Sequence, residues 1–181
     1  INDDAVADQA QLAVVQQPYA DIRFSISNMI VILLFIMPIM TMKVFSEEKK
    51  MGTMELLYTS PLSITEIVLG KYLATVFLFL LIFVISFQYP LFLILYGSPD
   101  LGPMICAYFG FFLLGLTFTA IGTFASSLSE NQLVSAVVGF GILLFMWVLS
   151  WAADAMGSAG RLLAYVSLTS HLEDFLKGVI D

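Results

Sequence analysis

The chain has 181 residues, of which 60% are hydrophobic, 14% aromatic and only 12% charged. Soluble proteins carry about 25% charged residues, so this composition argues against an ordinary water-soluble domain and indicates a protein whose solvent is lipid. The formal net charge of −7, without a basic patch, excludes a nucleic-acid-binding protein.

The chain reads as a single transmembrane domain over residues 1–181. It opens with a polar, acidic lead-in over residues 1–25, which lacks the basic start and apolar core of a signal peptide. Apolar sequence then extends from about residue 26 to 45, long enough at ~1.5 Å per residue to cross a ~30 Å hydrocarbon core. Three further apolar stretches predict spans over about residues 67–96, 104–125 and 133–153.

A polar loop over residues 46–66 separates the first two spans. The surrounding segment Lys43–Lys71 holds four of the chain's seven Lys and Arg residues. Apolar residues recur within the loop at three- and four-residue spacing, which predicts one short amphipathic helix over Ser46–Tyr58. This helix should end before Pro61, because the residue preceding a proline avoids α geometry.

Two short polar motifs predict where later helices begin. Ser63 with Glu66 three residues on is the capping-box pattern, and it should open the second span. Ser129 with Gln132 repeats the pattern ahead of the fourth span.

Residues 154–181 follow the last span and place apolar residues roughly on one face, which predicts an external interfacial or re-entrant amphipathic helix. His171, Glu173 and Asp174 in this tail are read as a solvated face and not as a metal site, because the usual metal sites need more ligands. The positive-inside rule puts the 46–66 loop in the cytoplasm. Both ends of the chain and the Gly97–Asp100 turn then lie outside.

The cores of the predicted spans contain no charged residue. Gln88 is the main candidate for a buried polar group, together with Thr117, Thr119 and Thr123 in the third span. Small residues at four-residue spacing, as at Gly115 and Thr119, favour close helix packing in lipid. Without an intramembrane carboxylate to couple an ion, any energy for transport should come from another subunit.

Catalytic motifs are missing from the sequence. Gly70–Lys71 is followed by Tyr72, so the chain carries no Walker A motif for ATP. One Cys and one His provide no basis for a nucleophilic triad. The sequence therefore predicts a protein that is not itself an enzyme and binds no cofactor or metal.

The loop and the start of the second span resemble the signature of ABC-2 type transporter permeases. The matching segments are Glu47–Leu57 (EEKKMGTMELL), Ser60–Ser63 (SPLS) and Glu66–Lys71 (EIVLGK). The closest likeness is to the bacterial subgroup that includes gliding-motility-type permeases. The resemblance implies a six-span fold of which this chain supplies the second to the fifth spans.

The resemblance also implies partners and a location. The loop would contain a coupling helix that sits in a groove of a separate ABC ATPase subunit, where ATP is bound. A second permease copy, forming a homodimer or heterodimer, would complete a transporter in the bacterial inner membrane, surrounded by lipid. The residues expected to contact the ATPase are Glu47, Glu48, Gly52, Glu55 and Leu57, with Lys71 anchoring the next helix at the membrane interface.

One alternative from another class uses the same loop. The chain would then be a membrane anchor or assembly protein that recruits a cytosolic partner and transports nothing. A partner with a nucleotide-binding fold would favour the permease, and a partner without one would favour the anchor.

Overall fold

The structure is a computed structural model that describes residues 24–96 and 101–156. Every regular element in these two ranges is an α-helix: α1 over residues 24–41, α2 Lys43–Met51, α3 Met54–Tyr58, α4 Ile64–Ser86, α5 Gln88–Tyr96, α6 Leu101–Leu128 and α7 Gln132–Met156. Four stretches are long and apolar enough to cross a membrane: Phe24–Met51, Ile64–Tyr96, Met104–Leu128 and Gln132–Leu149. The all-helical, polytopic fold expected from the apolar runs is confirmed.

Helix α6 is the centre of the bundle, because α2, α4 and α7 all pack against it. Its contact with α4 and with Phe87, the C-cap of α4, is largely aromatic. Ring pairs with centroids 5.3 to 6.5 Å apart join Phe79, Phe83, Phe87, Tyr108, Phe111 and Phe112. Tilted and edge-on ring pairs at this spacing add a modest attraction to the area that they bury.

Small residues bring the helices close together, as their spacing predicts. A Cβ atom added at Gly115 would lie 2.0 Å from the Phe79 ring, and one added at Gly122 would lie 2.2 Å from the Thr41 hydroxyl. At Gly139 the nearest neighbour is the Cβ of Ala125, at 3.3 Å. The helices α4, α1 and α7 therefore each contact α6 at a glycine: the first two at glycines of α6, and the third at a glycine of α7.

The second long apolar stretch contains a break between α4 and α5. Phe87 donates to the carbonyl of Val84 in a tightened turn, and Pro90, which has no N–H, cannot bond to the carbonyl of Ser86. The Tyr108 hydroxyl of α6 lies 3.5 Å from that carbonyl. Tyr108 of the neighbouring helix thus supplies a hydrogen-bond donor to the Ser86 carbonyl, which Pro90 cannot.

Two expectations about polar residues are wrong. Gln88 is exposed on the outer surface of the bundle and is not a buried polar group. Ser129 does not cap α7: Asn131 does, because its side-chain oxygen accepts from the N–H of Leu133 at 3.0 Å. Asn131 directly precedes the helix, so its side-chain oxygen reaches the second helical N–H. Ser129 lies two residues further back.

Thr119 and Thr123 are buried as expected, and each hydroxyl donates to a carbonyl one turn back in α6 at 2.7 Å. Thr117 is only half-buried. The predicted lead-in up to residue 23, the Gly97–Asp100 turn and the tail from residue 157 lie outside the described residues.

Candidate functional site

The polar loop folds as two short helices and not as the single Ser46–Tyr58 helix that the spacing predicted. Gly52 interrupts it with a φ of 69°, a left-handed conformation that ends α2. The Gly52 N–H donates to the carbonyl of Lys49, and the Thr53 N–H donates to that of Glu48. This pair of bonds is a Schellman motif, in which glycine is favoured because it has no Cβ.

The second half of the loop follows the sequence closely. Helix α3 ends at Tyr58, with Thr59 as its C-cap, two residues before Pro61. The capping box at the start of α4 is confirmed: the Ser63 hydroxyl accepts from the Glu66 N–H at 3.3 Å, and the Glu66 carboxylate accepts from the Ser63 N–H at 2.8 Å. The loop is therefore a structured helix–turn–helix that leads directly into α4.

Lys71 of α4 ties α2 to the second long helix. Its ammonium group pairs with the carboxylate of Glu48, donates to the carbonyl of Val44 at 2.7 Å and lies 4.8 Å from the centre of the Phe45 ring. The Lys71 and Glu48 side chains are 16% and 31% exposed, so water screens this ion pair only partly.

Helix α6 holds α2 from the other side. The buried Ser126 hydroxyl accepts from the N–H groups of Phe45 and Ser46 and donates to the carbonyl of Met42. One turn further along α2, the ammonium group of Lys49 donates to the carbonyl of Ser127. Helix α2 is thereby fixed to both α4 and α6.

The outer surface of the loop combines apolar and charged side chains. Leu56 is 72% exposed, more than most apolar side chains of the described residues. The apolar members of this surface, which we call the tip, are Met51, Leu56, Tyr58, Leu62 and Ile64. Lys50 and Glu55 are exposed beside them. Exposed apolar side chains with charged residues beside them in the loop are typical of a protein-binding surface.

The residues expected at the ATPase contact lie in different environments. Gly52 and Glu55 are exposed at the tip, whereas Glu47 and Leu57 are half-buried. Glu48 faces inward to Lys71. Lys71, the residue expected to anchor the second long helix at the membrane interface, lies at the junction of α2 and α4, and its place at the interface stays a prediction.

Leu56, the most exposed member of the tip, was not among the residues expected at the contact. Met51 and Tyr58 belong to the apolar pattern that predicted one helix over Ser46–Tyr58, but they were not expected at the contact either. The positive φ of Gly52 divides that pattern between α2 and α3. The available signal was Gly52 itself, which sits where a helix end is favoured.

Helix α3 is supported differently from α2, since none of its five residues is buried. A groove of about 450 Å³ lies beneath it, between α4 and the end of α6, and Met54, Tyr58, Leu69 and Phe124 line it with seven other residues. The position of α3 therefore depends on the turns at its two ends more than on packing.

A comparison with known proteins gives one match. The family model described as ABC-2 family transporter protein matches residues 8–171. That range contains every described residue and most of the rest of the chain. No curated protein and no solved structure matches.

Proposed function

Because the chain belongs to the ABC-2 family of transporter proteins, we propose that it is the permease subunit of an ABC transporter and moves substrate across a membrane with ATP hydrolysed by a separate subunit. The four membrane-crossing stretches supply the membrane part of such a machine. The tip supplies a surface outside the apolar spans for the ATPase.

The observation that carries this proposal is the contrast between the tip and its base. The rest of the chain leaves Leu56, Tyr58 and Met51 of the tip uncovered, and covering such apolar groups with another protein is favourable. Its base is fixed by Lys71 and Ser126 to two membrane helices. An exposed surface joined to a fixed α2 is suited to bind an ATPase and to transmit its motion to the membrane helices.

The remaining parts of the proposal follow from the family and the charge pattern. A second permease copy pairs with this chain, and the tip faces the cytoplasm, because Lys43, Lys49, Lys50 and Lys71 cluster at that end. The membrane is the bacterial inner membrane, and the gliding-motility-type subgroup stays a prediction from the loop sequence.

Copurification tests the assignment. The full chain is extracted from its native membrane with mild detergent, and the proteins that accompany it are examined for a nucleotide-binding ATPase. We expect Leu56→Ser to lower the ATPase recovered by at least about tenfold, because truncating a hot-spot residue at the centre of an interface costs about 2 kcal/mol or more and about 1.4 kcal/mol is a tenfold change in affinity.

Leu133→Ser is the matched control. Leu133 has the same residue type and the same 72% exposure, and it is the second residue of α7, at the same end of the bundle as the loop. If both variants lose the ATPase equally, the tip is not the contact. If the unmodified chain brings down a cytosolic protein without ATPase activity, the permease assignment is wrong.

A further inference from the structure

The Ser126 hydroxyl uses its full bonding capacity on one short segment of α2. It accepts from Phe45 N–H at 3.0 Å and from Ser46 N–H at 3.3 Å, and it donates to the carbonyl of Met42 at 2.8 Å. A serine hydroxyl has one donor and two acceptor sites, so all of its sites are occupied. Ser126 and Ser46 are both 0% exposed, which leaves no room for water to replace these bonds.

These bonds lie where α1 joins α2. Met42, at the join, has helical φ and ψ and donates its N–H to the carbonyl of Pro38, and its side chain makes no capping hydrogen bond. The first N–H groups of a helix need partners. For Phe45, the third residue of α2, Ser126 provides that partner from α6, 81 residues away in sequence, and so acts as a cap from another helix.

A second contact lies one turn further along α2. The ammonium group of Lys49 donates to the carbonyl of Ser127, in the last turn of α6, where carbonyl groups lack helical partners and attract cations. Two adjacent residues of α6 therefore hold two successive turns of α2.

Resting on the function proposed above, we infer that Ser126 is the positioning residue that makes α2 move together with α6, so that motion of the tip reaches α6 directly as well as α4, to which Lys71 joins α2. Helix α6 is the element against which α4 and α7 pack. Motion of α6 reaches both neighbours directly.

The test uses the complex of the full chain with its copurified ATPase, reconstituted in lipid. Ser126→Ala should leave the amount of bound ATPase unchanged and should lower ATP turnover by the complex about tenfold, since two buried N–H groups lose their acceptor. Ser127→Ala is the control: its hydroxyl donates only locally to the Phe124 carbonyl, and the substitution keeps the carbonyl that Lys49 binds. We expect turnover like that of the unmodified complex.

A covalent tether separates transmission from folding. In a chain with Cys106→Ala, which removes the single native cysteine, the pair Lys49→Cys and Ser127→Cys is joined by a short bifunctional maleimide. If α2 moves with α6, the tether leaves turnover intact and restores it in a chain that also carries Ser126→Ala. Loss of turnover on tethering would show that α2 must move relative to α6, and would overturn the inference.

Two other outcomes are also decisive. Unchanged turnover in Ser126→Ala would remove Ser126 from the transmission route. Failure of the unmodified chain to retain any ATPase would count against the proposed function itself and is seen before the variants are compared.

Faster amide exchange at Phe45 and Ser46 in Ser126→Ala, about tenfold and measured without the ATPase, supports the cap. Equal exchange would contradict it.

Discussion

Gly115 illustrates how single atoms determine the packing of this bundle. Phe79 is 0% exposed and its ring fills the space that a side chain at residue 115 would take. The ring has no free space to move into, because Phe83 and Phe112 lie 6.0 and 6.1 Å from it, centre to centre. Lipid tails are as apolar as this core, so close contact, and not exclusion of water, stabilises the α4–α6 pair.

We predict that Gly115→Ala destabilises the protein by about 1–3 kcal/mol, the usual cost of overpacking a core. Gly141→Ala is the control, because a Cβ at Gly141 meets nothing within 4 Å, and a helical Gly-to-Ala change there should be neutral or stabilising by about 0.5–1 kcal/mol. Thermal unfolding of the two variants in detergent measures the difference. Equal stability would show that the Phe79 ring has somewhere to go.

Lys71→Met should destabilise the protein by about 1–3 kcal/mol, because it leaves the carboxylate of Glu48 and the carbonyl of Val44 without their cation. Because the pair is not fully buried, the expected destabilisation is smaller than for an ion pair with no access to water. The exposed Lys50 gives the matched change Lys50→Met, expected within ±0.5 kcal/mol of the unmodified chain. Adding Glu48→Gln to Lys71→Met should recover part of the loss, and a purely additive double variant would show that the pair contributes nothing.

At the scale of elements, the loop shows which features local sequence determines. The Ser63–Glu66 box is confirmed because its partners are three residues apart and need no tertiary contact. The single Ser46–Tyr58 helix is wrong because periodic apolar residues suit one helix or two, and only the φ of Gly52 decides between them. The role of Ser126 could not be predicted, since its partners lie 80 residues or more away.

Gly52→Ala tests the value of the turn between α2 and α3. An alanine in left-handed geometry costs roughly 1–2 kcal/mol, and α3 has no buried residue to hold it in place. We expect the tip to lose order while the membrane helices keep theirs, so less ATPase is recovered at unchanged thermal stability. Gly70→Ala, in open space on α4, should change neither quantity.

At the scale of the whole molecule, the four long helices alternate in direction. The Lys49–Ser127 contact puts the loop and the α6–α7 connection at one end, and Tyr96 ends the Ile64–Tyr96 stretch at the other. The number of spans was readable from the sequence because a crossing needs roughly 20 apolar residues. Their arrangement around α6 was not readable, because every span is apolar on all sides.

Single cysteines introduced into a chain with Cys106→Ala should report this arrangement. Lys50→Cys and Glu130→Cys are expected to react with a membrane-impermeant maleimide from the cytoplasmic side, and Tyr96→Cys, 87% exposed, only from the opposite side. Labelling of intact cells against inverted vesicles makes the comparison. Reaction of Lys50→Cys in intact cells would reverse the orientation, and reaction of Lys50→Cys and Glu130→Cys from different sides would contradict the fold.

The break at Phe87 bears on the bilayer thickness that the protein tolerates. Helix α4 has 23 residues, or about 35 Å at 1.5 Å per residue, already enough for a hydrocarbon core of about 30 Å. Helix α5 therefore begins near the far lipid boundary, and the interrupted hydrogen bonding at Phe87 and Pro90 allows it to change direction there. We predict that α5 tilts along the boundary in a thinner or thicker membrane, because helices accommodate such a mismatch by tilting or kinking.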